Sequence, residues 1–181
     1  MNNGECKIDY FTDPGSQNTE KLIESVKGRV KNGGLSKIVV ASTSGATGVK
    51  FAKELEGSAT VIAISHEGMN SVCKRRIAEY GGKACDKTHL ALHAEGMDDV
   101  RKTFYTFGQG FKVAVEVILI AADKGELNLY EDVIGAGGTG TGADTAIVAR
   151  ATTSKGIFSE DNDKKLEIRE IIAMPLKKHW W

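Results

Sequence analysis

Apolar positions along the chain change their period several times, and each change marks an element. Leu22, Ile23, Val26 and Val30 recur at helical spacing and predict a helix over 19–32. Asn18 or Thr19 can cap its start, and Gly33-Gly34 ends it. SKIVVAS (36–42) follows as a short β-branched run between turn residues, the pattern of a strand buried on both faces. Phe51, Ala52 and Leu55 stripe a helix over 48–56, and TVIAIS (60–65) repeats the buried-strand pattern. Cys73, Ile77 and Tyr80 mark a further helix closed by Gly81-Gly82, and KACDKTH (83–89) is a weaker strand. The stretch 90–107 has no clear period, and a strongly apolar helix is expected over 110–124.

The C-terminal third changes character. DVIGAG, TAIVARAT and LEIREIIAM all have strand patterns, with no helix of useful length between them. Alternating helices and buried strands call for a parallel sheet covered on both faces. Strands joined by a short glycine loop pair antiparallel. The expectation is one α/β domain spanning 1–181: a three-layer sandwich with a mostly parallel sheet and antiparallel edge strands.

Composition narrows the function classes. Lys plus Arg number 24 and Asp plus Glu number 24, so the chain lacks the basic excess usual in nucleic-acid binders. The cluster Lys74, Arg75, Arg76 points in several directions on a helix and is expected to be a solvated face. MNNGECK lacks the basic and apolar blocks of a leader, and the apolar run 113–122 is interrupted by Glu116 and is far shorter than the ~20 residues of a membrane span. Cys6, Cys73 and Cys85 are odd in number with no Cys-x-x-Cys spacing, which fits reduced thiols in a cytoplasmic protein. Among His66, His89, His93 and His179, only His89 and His93 are four apart, and they straddle an expected strand end. No metal site, nucleic acid or membrane partner is expected.

Three loops carry the candidate chemistry. In STSGATG (42–48), an apolar strand gives way to small residues and then to a helix. Ligands of open parallel sheets bind beyond the carboxyl ends of the strands, and the free N–H groups and dipole of a helix start favour an anion. Gly45 and Gly48 let the backbone approach closely, Ala46 adds little bulk, and Ser42, Thr43, Ser44 and Thr47 supply hydroxyl donors. The P-loop pattern is absent, and a Ser/Thr-capped turn without ligand is the plainer alternative.

In GAGGTGTGAD (135–144), glycines alternate with small and hydroxylated residues, far more than a tight hairpin needs. Gly137, Gly138, Thr139, Gly140, Thr141 and Asp144 are candidate contacts for a ligand lying against bare backbone; a flexible loop without ligand is the alternative. In FGQGFKVAVE (107–116), Phe107, Gly108, Gln109, Gly110 and Lys112 form a candidate contact set at another helix start. Glu116, alone in an apolar run, is either perturbed for chemistry or held in a salt bridge to a nearby Lys or Arg.

Taken in order, YFTDPGSQNTEKLIE, VVASTSGATG, FGQGFKVAVE, AADKG and GAGGTGTGADTAIV resemble a known family over residues 10–172. It is that of the stand-alone archaeal and bacterial proteins classed with the pyruvate kinase C-terminal, or alpha/beta, domain. The resemblance implies a three-layer sandwich and a phosphate site at Thr43, Ser44, Gly45 and Thr47, matching a Ser/Thr-Gly loop that holds a sugar-phosphate effector. It does not imply kinase activity, because a catalytic TIM barrel needs about 250 residues. Stand-alone members are similar to proteins seen with flavin mononucleotide (FMN). The implied ligand is therefore FMN, with its phosphate on 42–48 and its flavin near 107–112 and 137–144.

Two departures from the family pattern are visible: a shorter stretch over 89–107 and the altered ending MPLKKHWW. The functional expectation is binding of a phosphorylated small molecule, FMN first, with flavin-dependent activity of unknown kind. The alternatives are a non-catalytic sugar-phosphate sensor regulating a partner, and an enzyme using another nucleotide or phosphometabolite. Trp180-Trp181 is a candidate homo-oligomer contact, or else a packed or disordered tail.

Overall fold

The computed structural model describes residues 7–180; Cys6 and Trp181 lie outside them. Its strands are β1 (Asp9–Phe11), β2 (Lys37–Ala41), β3 (Thr60–Ile64), β4 (Lys83–Cys85), β5 (Asp132–Gly137), β6 (Thr145–Arg150) and β7 (Ile168–Pro175). The α-helices are α1 (Thr19–Lys31), α2 (Ala46–Glu54), α3 (Ser71–Glu79), α4 (Asp98–Tyr105) and α5 (Gln109–Asp123). The strands form one seven-stranded sheet in the order β1-β7-β6-β5-β2-β3-β4.

Residue alternation in the sheet explains the three layers. Ile38 and Val40 of β2 belong to the core under α1, α2 and α3, whereas Val39 between them belongs to the core under α5. Because both faces are covered, β2 and β3 need no polar alternate positions, which is why their sequences are continuous apolar runs. The layers are therefore α1–α3, the sheet, and α5 with α4.

Only β6 runs against the rest. It pairs antiparallel with β5 and β7, while β5–β2, β2–β3, β3–β4 and β1–β7 are parallel. The antiparallel pairs sit on the expected side of the sheet, but the outermost place there belongs to β1. That strand has three residues and an exposed Tyr10, too little pattern to read as a strand. The 90–107 stretch contains α4, which has eight residues, buries none of them fully and packs against the core through Val100 and Phe104, too few positions to set a period in the sequence. The expected strand 83–89 stops at Cys85, because Asp86 turns to accept the Met69 N–H at 3.0 Å and pair with Lys74 at 3.0 Å.

Helix α5 is buried over nearly its whole circumference and lies directly on β5. A Cβ on Gly135 would come within 2.4 Å of the Ala114 carbonyl oxygen, and one on Gly137 within 2.4 Å of the Gly110 carbonyl oxygen. Such contacts are far inside van der Waals distance, so only glycine permits this approach. Overpacking costs typically ~1–3 kcal/mol, and each kcal/mol lowers Tm by roughly 2–4 °C in a chain of this size. Gly135→Ala is expected to lower Tm by at least roughly 2 °C in thermal unfolding. An unchanged Tm would show that α5 does not press on β5 as described.

Candidate functional site

Strands β5, β2 and β3 are neighbours and run in the same direction, so the loops leaving their carboxyl ends lie side by side. The chain leaves β2 towards β3 through α2 on one face and enters β5 through α5 on the other. This is a topological switch point, where diverging connections leave a crevice. A cleft of about 1100 Å³ opens there. Its lining includes residues from all three loops singled out in the sequence: Ser42, Thr43, Ser44, Ala46 and Thr47; Gln109 and Lys112; Gly138, Gly140 and Thr141.

The first loop is held by its neighbour. Ser65 Oγ donates to the Thr43 carbonyl at 3.1 Å, and the Asn70 N–H donates to the Ser44 carbonyl at 3.2 Å. Gly45 sits at φ 94° immediately before α2, in the left-handed region. Ser42 Oγ accepts the Gly48 N–H at 2.9 Å, and Ser44 Oγ accepts the Ala46 N–H at 3.3 Å. Two of the loop's hydroxyl oxygens thus accept N–H groups of its own backbone, while the N-cap position of α2 is Gly45, with no side-chain cap. The Thr43 and Ser44 side chains nevertheless remain exposed at the cleft. Gly45 and Gly48 lie outside the lining and serve packing: a Cβ on Gly48 would come within 2.6 Å of the Ala63 methyl.

The glycine loop between β5 and β6 is tied down at both ends. The fully buried Asp144 carboxylate accepts N–H groups from Gly15 at 2.9 Å and Thr139 at 3.1 Å, and the Thr145 hydroxyl at 2.9 Å. Thr19 Oγ1 accepts the Ala143 N–H at 3.0 Å and donates to the Ala143 carbonyl at 3.2 Å. Asp144, Thr139 and Gly137 are outside the cleft lining; their contacts shape the loop. At Gly140, by contrast, an added Cβ would meet nothing within 4 Å, although φ 82° favours glycine there.

Around the start of α5, Phe107 stacks on Phe111 with centroids 4.6 Å apart, and Gly108 and Gly110 meet Lys178 and Asp144. These three are also outside the lining. The Gln109 N–H donates to the His179 carbonyl at 2.8 Å, so the tail caps α5, and Trp180 beyond it is exposed. Gln109 Oε1 is buried with no hydrogen-bond partner among the described residues. Leaving such an acceptor unpaired costs about 1–3 kcal/mol.

Glu116 is paired. Lys112 Nζ lies 2.8 Å from Glu116 Oε2, with both side chains 4% exposed, and 5.5 Å from the Tyr105 ring centroid. Glu116 Oε1 accepts the Leu92 N–H at 2.9 Å, and Lys112 Nζ also reaches His93 Nε2 at 3.2 Å. His93 has a pKa below the ordinary imidazole value, chiefly because the cleft wall removes solvent from part of the ring; the Glu116 carboxylate opposes this shift and the Lys112 ammonium adds to it.

No family model matches the chain. The site therefore stands on its geometry. Sequence reasoning missed His93, Tyr105 and the loop residues His66–Asn70 that share the cleft. The last group was within reach, because the loop after 60–65 must adjoin the loop after 36–42 once both are parallel neighbours. His93 and Tyr105 fall in the stretch without period. His89, the other member of the spaced pair, bonds Asp123 at 2.9 Å on the surface. Among the described residues, no three or more His, Cys, Asp or Glu side chains cluster as metal ligands, and no helix is long and apolar enough to cross a membrane.

Removing one partner of a buried ion pair strands the other charge at a cost of ~3–5 kcal/mol, whereas replacing both with apolar groups is often neutral. Glu116→Ala is accordingly expected to lose ~3–5 kcal/mol in urea unfolding. The double variant Lys112→Met/Glu116→Leu is expected to recover most of that loss. A Glu116→Ala loss within about 1 kcal/mol would class the pair with exposed ones.

Proposed function

We propose that the cleft at the β2–β5 switch point binds a phosphorylated small molecule with an apolar ring, and that FMN is the first candidate. The carrying observation is the convergence of the three loops on one cleft that also presents the apolar side chains Val113, Val117 and Ile120 of α5. Such a lining joins hydroxyl groups and bare backbone to apolar side chains, as an amphiphilic ligand requires. The resemblance to stand-alone pyruvate kinase C-terminal-like proteins supports the same reading.

The residues present fit the group at each end. Thr43 and Ser44 offer hydroxyls, and the Thr47 N–H at the start of α2 has no acceptor among the described residues. Together with the helix dipole they suit a phosphate. Residues 42–48 include no Lys or Arg, and Lys50 is engaged with Glu20 at 2.6 Å, so recognition there would run through neutral donors. The open backbone at Gly140 suits a planar ring, and the unpaired Gln109 Oε1 is an acceptor that a ligand N–H would satisfy.

Bound FMN would supply reversible electron and hydride chemistry. The chain's own part is to hold the phosphate at 43–47, seat the ring between the glycine loop and α5, and shield it from water. A non-catalytic role as a sugar-phosphate sensor uses the same phosphate loop.

The test is fluorescence titration with FMN and with riboflavin, which lacks the phosphate. Wild type is expected to bind FMN saturably and at least about tenfold more tightly than riboflavin, the worth of roughly one charge-assisted hydrogen bond. Ser44→Asp places a carboxylate beside the phosphate and is expected to erase that preference while leaving riboflavin affinity unchanged. Equal losses for both ligands would overturn the loop assignment. Binding of fructose bisphosphate with none of FMN would favour the sensor reading.

A further inference from the structure

We propose that His93 is a ligand-facing hydrogen-bond donor of this cleft, held by Lys112 in the Nδ1–H tautomer and offering that N–H to an acceptor atom of the bound molecule. The inference rests on the cleft being a ligand site. It concerns a residue whose sequence context suggested nothing beyond a poor metal ligand.

The backbone that carries His93 is fixed from two sides. Residues 91–93 form a single 3₁₀ turn whose Leu92 side chain is fully buried. Leu92 donates its N–H to Glu116 Oε1 on α5 at 2.9 Å and accepts from an Arg101 guanidinium nitrogen on α4 at 3.1 Å. Glu116 thus positions the turn through one oxygen and the Lys112 ammonium through the other, at 2.8 Å. The imidazole itself is held by its 3.2 Å contact with Lys112 Nζ.

Lysine decides the tautomer. An ammonium has three donors and no acceptor, so the 3.2 Å contact from Lys112 Nζ requires a lone pair on His93 Nε2. In a neutral imidazole the proton then resides on Nδ1. A protonated ring would set an N–H against the ammonium. The charged groups facing the imidazole are Lys112 and Glu116 on α5 and Arg101 and Asp98 on α4; partial burial and the two cations favour the neutral ring, and the two carboxylates oppose them.

What remains is one N–H, on Nδ1, with no partner among the described residues, on a side chain that is exposed and lines the cleft. A neutral donor of fixed direction suits a carbonyl oxygen or ring nitrogen, which it can polarise without adding charge to the site. Lys112 could not take this part equally well, being spent on Glu116 and His93. The chemical class implied for the ligand is therefore a phosphorylated molecule whose ring portion carries a carbonyl or imine-type acceptor.

Long-range 1H–15N spectra of histidine-labelled protein, free and with FMN, read the tautomer directly. The free protein at neutral pH is expected to show His93 protonated on Nδ1 alone, and saturating FMN is expected to shift that nitrogen. In parallel titrations, His93→Phe is expected to lose roughly tenfold in FMN affinity. His93→Asn, whose amide N–H2 replaces Nδ1, is expected to stay within about threefold of wild type, and His93→Gln, which mimics Nε2, to resemble His93→Phe. An Nε2–H tautomer in the free protein, or wild-type FMN affinity in His93→Phe, would overturn the donor role and leave the functional reading intact. Absence of FMN binding to wild type would overturn both.

Discussion

The close approach of α5 to β5 is the constraint on which the site depends. Gly135 and Gly137 bring the helix backbone onto the strand, and Gly110 on the helix meets Asp144 and Thr145 in the same way. The approach sets the height of α5 relative to the carboxyl ends of the strands. That height puts the start of α5, with Gln109 and Lys112, level with the loops after β2 and β5. Lys112 and Glu116 are four residues apart and so share one face of the helix. The residue types within α5 follow from its place: apolar where it touches the sheet, and towards the cleft one ion pair beside Val113, Val117 and Ile120.

A second feature is that the cleft's loops are fixed by buried polar contacts rather than left open. Asp144 gathers Gly15, Thr139 and Thr145, and Thr19 pins Ala143, so the segment before α1 and the glycine loop form one unit. The loop after β2 is in turn held by Ser65 and Asn70. Ordering these loops in the free protein removes an entropy loss that binding would otherwise incur. The glycines between β5 and β6 divide accordingly. Gly137, Gly138 and Gly142 allow chain to pass chain, and Gly140 faces open space.

The fold was legible wherever burial imposes a period. Leu22, Ile23, Val26 and Val30 mark α1 without ambiguity, and the apolar runs of β2 and β3 announce strands covered on both faces. What was not legible lacks such a period: β1 is too short, and α4 is too exposed. Of the candidate site residues chosen for hydroxyls or for charge, Ser42, Thr43, Ser44, Thr47, Lys112 and Thr141 line the cleft, and Thr139 and Asp144 do not. Among those chosen because they are glycine, Gly45, Gly48 and Gly110 serve packing, whereas Gly138 and Gly140 line the cleft. A glycine in sequence signals a close approach without saying whether a ligand or the chain's own backbone makes it. Asp144 illustrates the same limit, since a lone acid in a glycine loop can face outwards or, as here, inwards.

Amide chemical-shift mapping with FMN tests the central claim, that three loops form one binding site, more directly than any single variant. On addition of FMN to 15N-labelled protein, the account expects saturable shifts confined to the amides of 43–47, 66–70, 91–93, 109–113 and 138–142. Shifts centred instead on the second hollow, of about 480 Å³ between α1 and β7, or shifts that never saturate, would contradict it.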